Sequence, residues 1–236
     1  MLTGQSLWAS LCSWLQHSAG VLEILLPEKC VLCDKPPRAL CPTCLATMIS
    51  PVRWHQLNDV PLASSSADEV QALRLLRAFK DDCRTGLSRP LSRMLEPVLR
   101  QAIERHGWPD VFVVPPSPWR SWRRRGFRPV PLILRRLGIR SAGVIKRSRG
   151  RDQRGLTLDQ RTLNVAGLFR VPTSLYVALR GARVMLVDDV VTTGATLREA
   201  IRALEAAGAS VVCAIALVRI APRRKKRWMT FTATQA

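Results

Sequence analysis

Residues 188–196 gather side chains that have one obvious joint chemical use. Asp188 and Asp189 are followed by two valines and then by Thr192, Thr193, Gly194, Ala195 and Thr196. Small residues between a strand end and a helix start leave backbone N–H groups facing open space, and the positive end of the helix dipole adds to them. Three threonine hydroxyls around one glycine suit a phosphate. Two adjacent acids facing that phosphate would repel it, so they are better placed on neutral hydroxyls one sugar length away. A phosphate at one end and a diol at the other describe a 5-phosphoribosyl group. The plainer alternative is an ordinary strand-to-helix turn with solvated acids at its mouth, and the whole series of features in one run weighs against it.

A second chemical cluster precedes it. Arg120, Arg123, Arg124 and Arg125 are interleaved with Trp119, Trp122 and Phe127. Arginines can clamp a pyrophosphate with paired N–H bonds, and the aromatics can stack on bases or cover the edge of a sheet. A third cluster is Cys30-x2-Cys33, seven residues, then Cys41-x2-Cys44. Two such knuckles place four thiolates around one tetrahedral Zn2+, each pair supplying adjacent corners. Two redox pairs are the alternative, but neither has a thioredoxin-like β-α-β setting. With four protein ligands the metal is structural, because no position stays open for catalysis.

The elements that must hold these groups can be read from periodicity. Residues 184–187 are apolar without alternation, which marks a strand buried on both faces of a parallel sheet. Leu197, Ile201 and Leu204 recur at helical spacing up to a stop at Gly208, and 211–218 is a second apolar strand containing Cys213, a small core residue. Residues 111–114 form another buried strand that runs straight into the arginine segment. Residues just past strand ends line the ligand crevice of open α/β sheets. Helices are predicted over 5–26, 68–79 and about 87–103, the last with Pro90 near its start and a kink at Pro97. The proline- and serine-rich stretch 51–66 reads as a linker. Residues 147–158 read as a mobile loop, and the tail after Arg219 as disordered. The implied organisation is an N-terminal helix and four-cysteine module over 1–62, a main domain over 63–221 and a basic tail over 222–236.

Charge narrows the partners. The formal net charge is +20, and residues 115–161 hold 14 Lys and Arg against two acids, while 219–236 hold six against none. A polyanionic partner follows, and the same arginines would serve a pyrophosphate substrate or a nucleic acid such as single-stranded DNA, although solvated basic surface is the blander account. No apolar run reaches membrane-spanning length and no secretory signal opens the chain, so a cytoplasmic location with reduced or metal-bound cysteines is expected.

Residues 184–196 resemble the signature of the phosphoribosyltransferase family for phosphoribosyl pyrophosphate (PRPP): four apolar residues, two acids, two variable residues, then Thr-[Thr/Ser]-Gly-x-Thr. The resemblance implies an α/β fold of type I, a parallel sheet flanked by helices, with Asp188 and Asp189 on the ribose hydroxyls. It also puts the 5′-phosphate on Thr192, Thr193, Gly194, Ala195 and Thr196, with Mg2+ accompanying PRPP. Arg120 and Arg125 would take the pyrophosphate. The order of motifs is more specific still. A four-cysteine knuckle, a helix ending in Phe79-Lys80, and a strand into Pro-x4-Arg-x4-Arg-Gly-Phe are followed by Gln153, by Arg161-x2-Asn164 and then by the acid pair and its loop. That layout is similar to the ComF/GntX-like competence-associated proteins, except that Arg128-Pro129 stands where the family has Asn-Gln. The resemblance implies a role in DNA uptake, transformation or the use of DNA as a nutrient, with DNA-uptake machinery proteins as partners. An active phosphoribosyltransferase of nucleotide salvage is the other reading it allows.

Overall fold

The computed structural model describes residues 28–36, 38–147 and 167–220, with Trp119, Arg120 and Trp122 described by their backbone alone. The expected helix over 5–26, Cys12, the loop beyond Arg147, Gln153, the 161–164 motif and the basic tail lie outside the described residues.

A six-stranded sheet organises the chain, in the order β1-β2-β8-β7-β3-β4. Its strands are β1 (Val52–Leu57), β2 (Val60–Ser65), β3 (Val111–Val113), β4 (Ser141–Ala142), β7 (Arg183–Val191) and β8 (Ser210–Arg219). β1 and β2 form an antiparallel hairpin, and all other pairings are parallel. A separate ribbon pairs β5 (Lys146–Arg147) with β6 (Phe169–Arg170). The apolar runs have no polar alternation because both faces are covered. Met185 and Val187 face one core, Val184 and Leu186 the other, and all four are fully buried. Burying a side chain of this kind contributes about 1.5–3 kcal/mol.

On the first face lie α1 (Pro42–Met48), α2 (Glu69–Lys80), α3 (Ser88–His106) and α5 (Pro129–Arg136). α2 begins where the spacing predicts, with the Asp68 side chain accepting from the Gln71 N–H at 2.8 Å. α3 runs further than expected, with Pro90 in its first turn and Pro97 inside it, and ends at Gly107 with φ +75°. Within the cysteine module, Cys30, Val31, Ala39, Leu40 and Met48 are buried in the core that α2 and α3 complete. Cys213 lies in the same core, where burial pushes its thiol up to about 12. The second face carries α7 (Ala195–Glu205) and the short α6 (Tyr176–Leu179).

The stretch 51–66 is a correction. Its prolines and serines suggest a linker, yet residues 52–65 are the β1–β2 hairpin, and β2 lies directly against β8. Two features permit this. Pro61 lies at the start of β2, before Leu62, where the pairing with β8 begins, so its missing N–H breaks no ladder bond. Buried Ser65 is satisfied by the Ser50 hydroxyl at 2.8 Å and by the Ala67 N–H at 3.1 Å.

Candidate functional site

β3 leads through α4 (Trp119–Arg125) and α5 to its neighbour β4 on one side, and β7 leads through α7 to β8 on the other. The two chains therefore diverge between adjacent β3 and β7, and in open α/β sheets the crevice forms at such a divergence. The acid pair lies at this end of β7. The strand is longer than the apolar run suggests, because it continues through Asp188 and Asp189 to Val191. Val187 and Val190 both pack toward the first core although they are three residues apart. The period-two alternation thus slips at the acids.

Both carboxylates are partly buried. Asp188 accepts a hydrogen bond from the Asp189 N–H at 2.8 Å. Burial, and then the Asp189 charge, push its pKa up to about 7 against the opposing pull of that hydrogen bond and of Lys80. Asp189 is held by the Lys80 ammonium, 2.5 Å away at the carboxyl end of α2.

The loop that follows is shaped by one glycine. Gly194 has φ +77°, a left-handed conformation, and a Cβ there would lie 2.4 Å from Leu57 Cδ1. It heads α7 without a side-chain cap, and Thr192, Thr193 and Thr196 are exposed around it. The Ala195 N–H turns to the Thr193 hydroxyl oxygen at 3.4 Å, and the next first-turn amides beside exposed Thr192 and Thr196 form an anion-binding arrangement. The tip of the β1–β2 hairpin supports the loop from outside. Arg198 donates to Asn58 Oδ1 at 3.2 Å and to the Thr193 carbonyl at 2.7 Å. On the far side of α7, buried Glu199 accepts from the Phe169 N–H at 3.0 Å and from Arg202 at 2.8 Å. Arg202 holds the Glu199 carboxyl below the usual carboxylate range, with burial opposing and the Phe169 and Gly167 amides assisting. This clamp docks β6 onto α7, a contact with no local sequence signal.

The arginine segment folds as α4. Arg124 donates to Asp81 Oδ1 at 2.9 Å, and Arg125 approaches the same oxygen at 3.4 Å. The Arg125 side chain is 16% exposed, and its Nε is buried without a partner among the described residues. Phe127 packs on Phe79, with ring centroids 5.2 Å apart, so this aromatic belongs to the core. Arg125 therefore meets the acid pair through the end of α2, while the Arg120 side chain lies outside the described residues.

The cysteines converge as their spacing predicts. The sulfurs of Cys30, Cys33, Cys41 and Cys44 all lie within 4.8 Å of one another, with Cys33 and Cys41 at 3.7 Å. A tetrahedral ion bonded to sulfur at about 2.3 Å sets sulfur–sulfur edges at about 3.8 Å. All four are free thiols, which removes the disulfide form of the redox alternative from this structure. At Cys30 burial opposes ionisation, but amides of Cys41, Cys33 and Leu32 with the Cys33 thiol bring it down to about 6. Burial and the neighbouring sulfurs push Cys44 up. The donor set fits zinc. Beside the knuckle, Arg38, Arg89 and Arg93 converge on a groove of about 410 Å³ with Glu28 at its rim. Scattered along the sequence, they give no signal before folding.

Among the described residues, no helix is long and apolar enough to cross a membrane. The sequence profile of the phosphoribosyl transferase domain matches residues 99–234. Competence protein F of Haemophilus influenzae is 30% identical over 154 residues, covering 61% of this chain and 66% of that protein. Orotate phosphoribosyltransferase of Novosphingobium aromaticivorans is 45% identical over 65 residues, covering 25% of this chain and 34% of that protein. The chain thus spans about two thirds or less of these curated relatives. Adenine phosphoribosyltransferase from Leishmania donovani covers 75% of this chain and 68% of its own at 18% identity, with a TM-score of 0.37, too slight a likeness to carry an argument.

Proposed function

The chain belongs to the phosphoribosyl transferase domain family, and from that premise we propose that it binds PRPP and single-stranded DNA as a competence-type protein of the cytoplasm. Its role is in DNA uptake and transformation, or in the use of DNA as a nutrient. The observation that carries the ligand assignment is the acid pair at the crevice end of β7, followed directly by an uncapped helix start. The Thr192–Thr193–Gly194 bend and the first amides of α7 would receive the 5′-phosphate. Asp188 and Asp189 would accept from the ribose hydroxyls. The orphaned Nε of Arg125 is a buried donor suited to pyrophosphate. Mg2+ would arrive with PRPP and neutralise its oxygens. Zinc in the four-cysteine knuckle would fix residues 30–44 against α3.

The DNA part of the proposal rests on the net charge of +20, on exposed Arg124 and on the basic groove beside the knuckle. The resemblance to competence protein F supports partners in the DNA-uptake machinery. Isothermal titration with PRPP and Mg2+ tests the ligand reading, with Asp188→Ala/Asp189→Ala as control. Wild type should bind, and the double variant should lose at least about a hundredfold in affinity while staying folded, equivalent to about 2.7 kcal/mol. Equal binding by the two would remove the assignment.

A second reading, transfer of the 5-phosphoribosyl group from PRPP to a base nitrogen with release of pyrophosphate, is favoured by the raised pKa of Asp188, which suits a group taking up the proton that the base gives off near neutrality. Pyrophosphate release on adding PRPP, Mg2+ and a panel of bases would establish it. PRPP binding without release restricts the protein to sensing and DNA handling.

A further inference from the structure

Three consecutive residues at the carboxyl end of α2 touch three parts of the site. Phe79 packs on Phe127, Lys80 sits on Asp189, and Asp81 accepts from Arg124 and Arg125. The middle contact is unusual in its surroundings. The Lys80 and Asp189 side chains are only 19% and 14% exposed. Withdrawing a lysine and a carboxylate from water costs several kcal/mol, and an apolar pair of similar volume is often at least as stable. Packing alone therefore gives little reason for a lysine here.

Its position supplies a reason. Asp188 and Asp189 face a site meant for a polyanion, and both repel it. Divalent ions commonly offset such repulsion by bridging carboxylates and substrate phosphates. Here a protein cation already stands on the acid pair. A lysine ammonium carries three donors, and Asp189 is its ion-pair partner among the described residues.

We propose that Lys80 is a ligand-binding residue that gives the site an internal cation. Its ammonium, steadied by Asp189, takes an oxygen of the bound PRPP, so that binding persists without a divalent ion. The proposal rests on the phosphoribosyl reading given above. It makes α2 a wall of the site, although α2 lies far from the acid-pair motif in sequence.

The test is isothermal titration of the full chain with PRPP, in buffer freed of Mg2+ over chelating resin and again with excess Mg2+. The resin treats the buffer only, so metal in the knuckle is not challenged. Wild type should bind under both conditions, with affinities within about threefold. Lys80→Met should lose at least about tenfold without Mg2+ and less than about threefold with it, while Lys80→Arg stays close to wild type. If Lys80→Met does not fold, Lys80→Gln replaces it with the same expectation, and the wild-type comparison stands on its own. Strict dependence of wild type on Mg2+ overturns the proposal and leaves the phosphoribosyl reading intact. So does a Met or Gln variant that matches wild type without Mg2+, or that loses equally in both buffers. Failure of wild type to bind under either condition removes the phosphoribosyl reading and this proposal together.

Discussion

The two halves of the candidate site are built in opposite ways. The acid pair and its loop occupy one uninterrupted stretch of β7 and α7, onto which Lys80 and the β1–β2 hairpin tip pack from a distance. The arginine half depends on a distant helix, because Asp81 of α2 is what engages Arg124 and Arg125. A contiguous motif brings its groups together as soon as its strand is buried, and distant contacts only refine it. A composite one exists only after tertiary packing, and its charges can be redirected by a single partner.

The largest expected effect strikes the contiguous half. Gly194→Val adds a side chain at φ +77° and against Leu57. It should cost about 2–4 kcal/mol in denaturant unfolding and abolish PRPP binding. Retained binding would mean that the loop is not held as described. Asp81→Asn addresses the composite half. Because Arg124 is 68% exposed, stability should change by less than about 1 kcal/mol. Pyrophosphate binding should weaken about threefold to tenfold, with ribose 5-phosphate binding unchanged. An equal effect on both ligands would erase the distinction between the halves.

A smaller effect separates them by pH. Asp188 has its pKa raised to about 7, so the folded protein holds this proton more tightly than the unfolded chain does. The stability this contributes is fully present below the ordinary carboxylate range and is lost as pH rises through about 7. Thermal midpoints measured from about pH 5 to about pH 8 should fall in wild type and fall less in Asp188→Asn. Parallel curves would contradict the burial of that carboxyl. The smallest effect concerns neither half. Charge reversal at Arg38, Arg89 and Arg93 should reduce the salt dependence of single-stranded DNA binding by about two units of slope. An unchanged slope would leave the binding to the arginine segment and the tail.

What the sequence made legible follows the same division. The strand at 184–187, the acids, the threonine-glycine bend and the helix after it are consecutive, so periodicity and residue chemistry located all of them. The four cysteines were legible because their spacing is itself the constraint. The hairpin at 52–65 was not, because Pro61 and the serine run look like turn residues until β8 and the Ser50 hydroxyl give them partners. Nor could the strand be followed through Asp188 to Val191, since two acids ordinarily end an apolar run. Lys80 on Asp189, Asp81 on the arginines and Glu199 on Phe169 were invisible for one physical reason. Each joins a side chain to a group far off in sequence, at a separation fixed only when the sheet assembles.

The contact of Leu57 with Gly194 ties the earliest strand of the sheet to one of its last turns. No atom can be added at the turn unless the hairpin tip gives way, so the two positions are a single unit for any redesign of the pocket. Shortening residue 57 would clear that space, but any residue larger than glycine at 194 would still carry the strain of φ +77°.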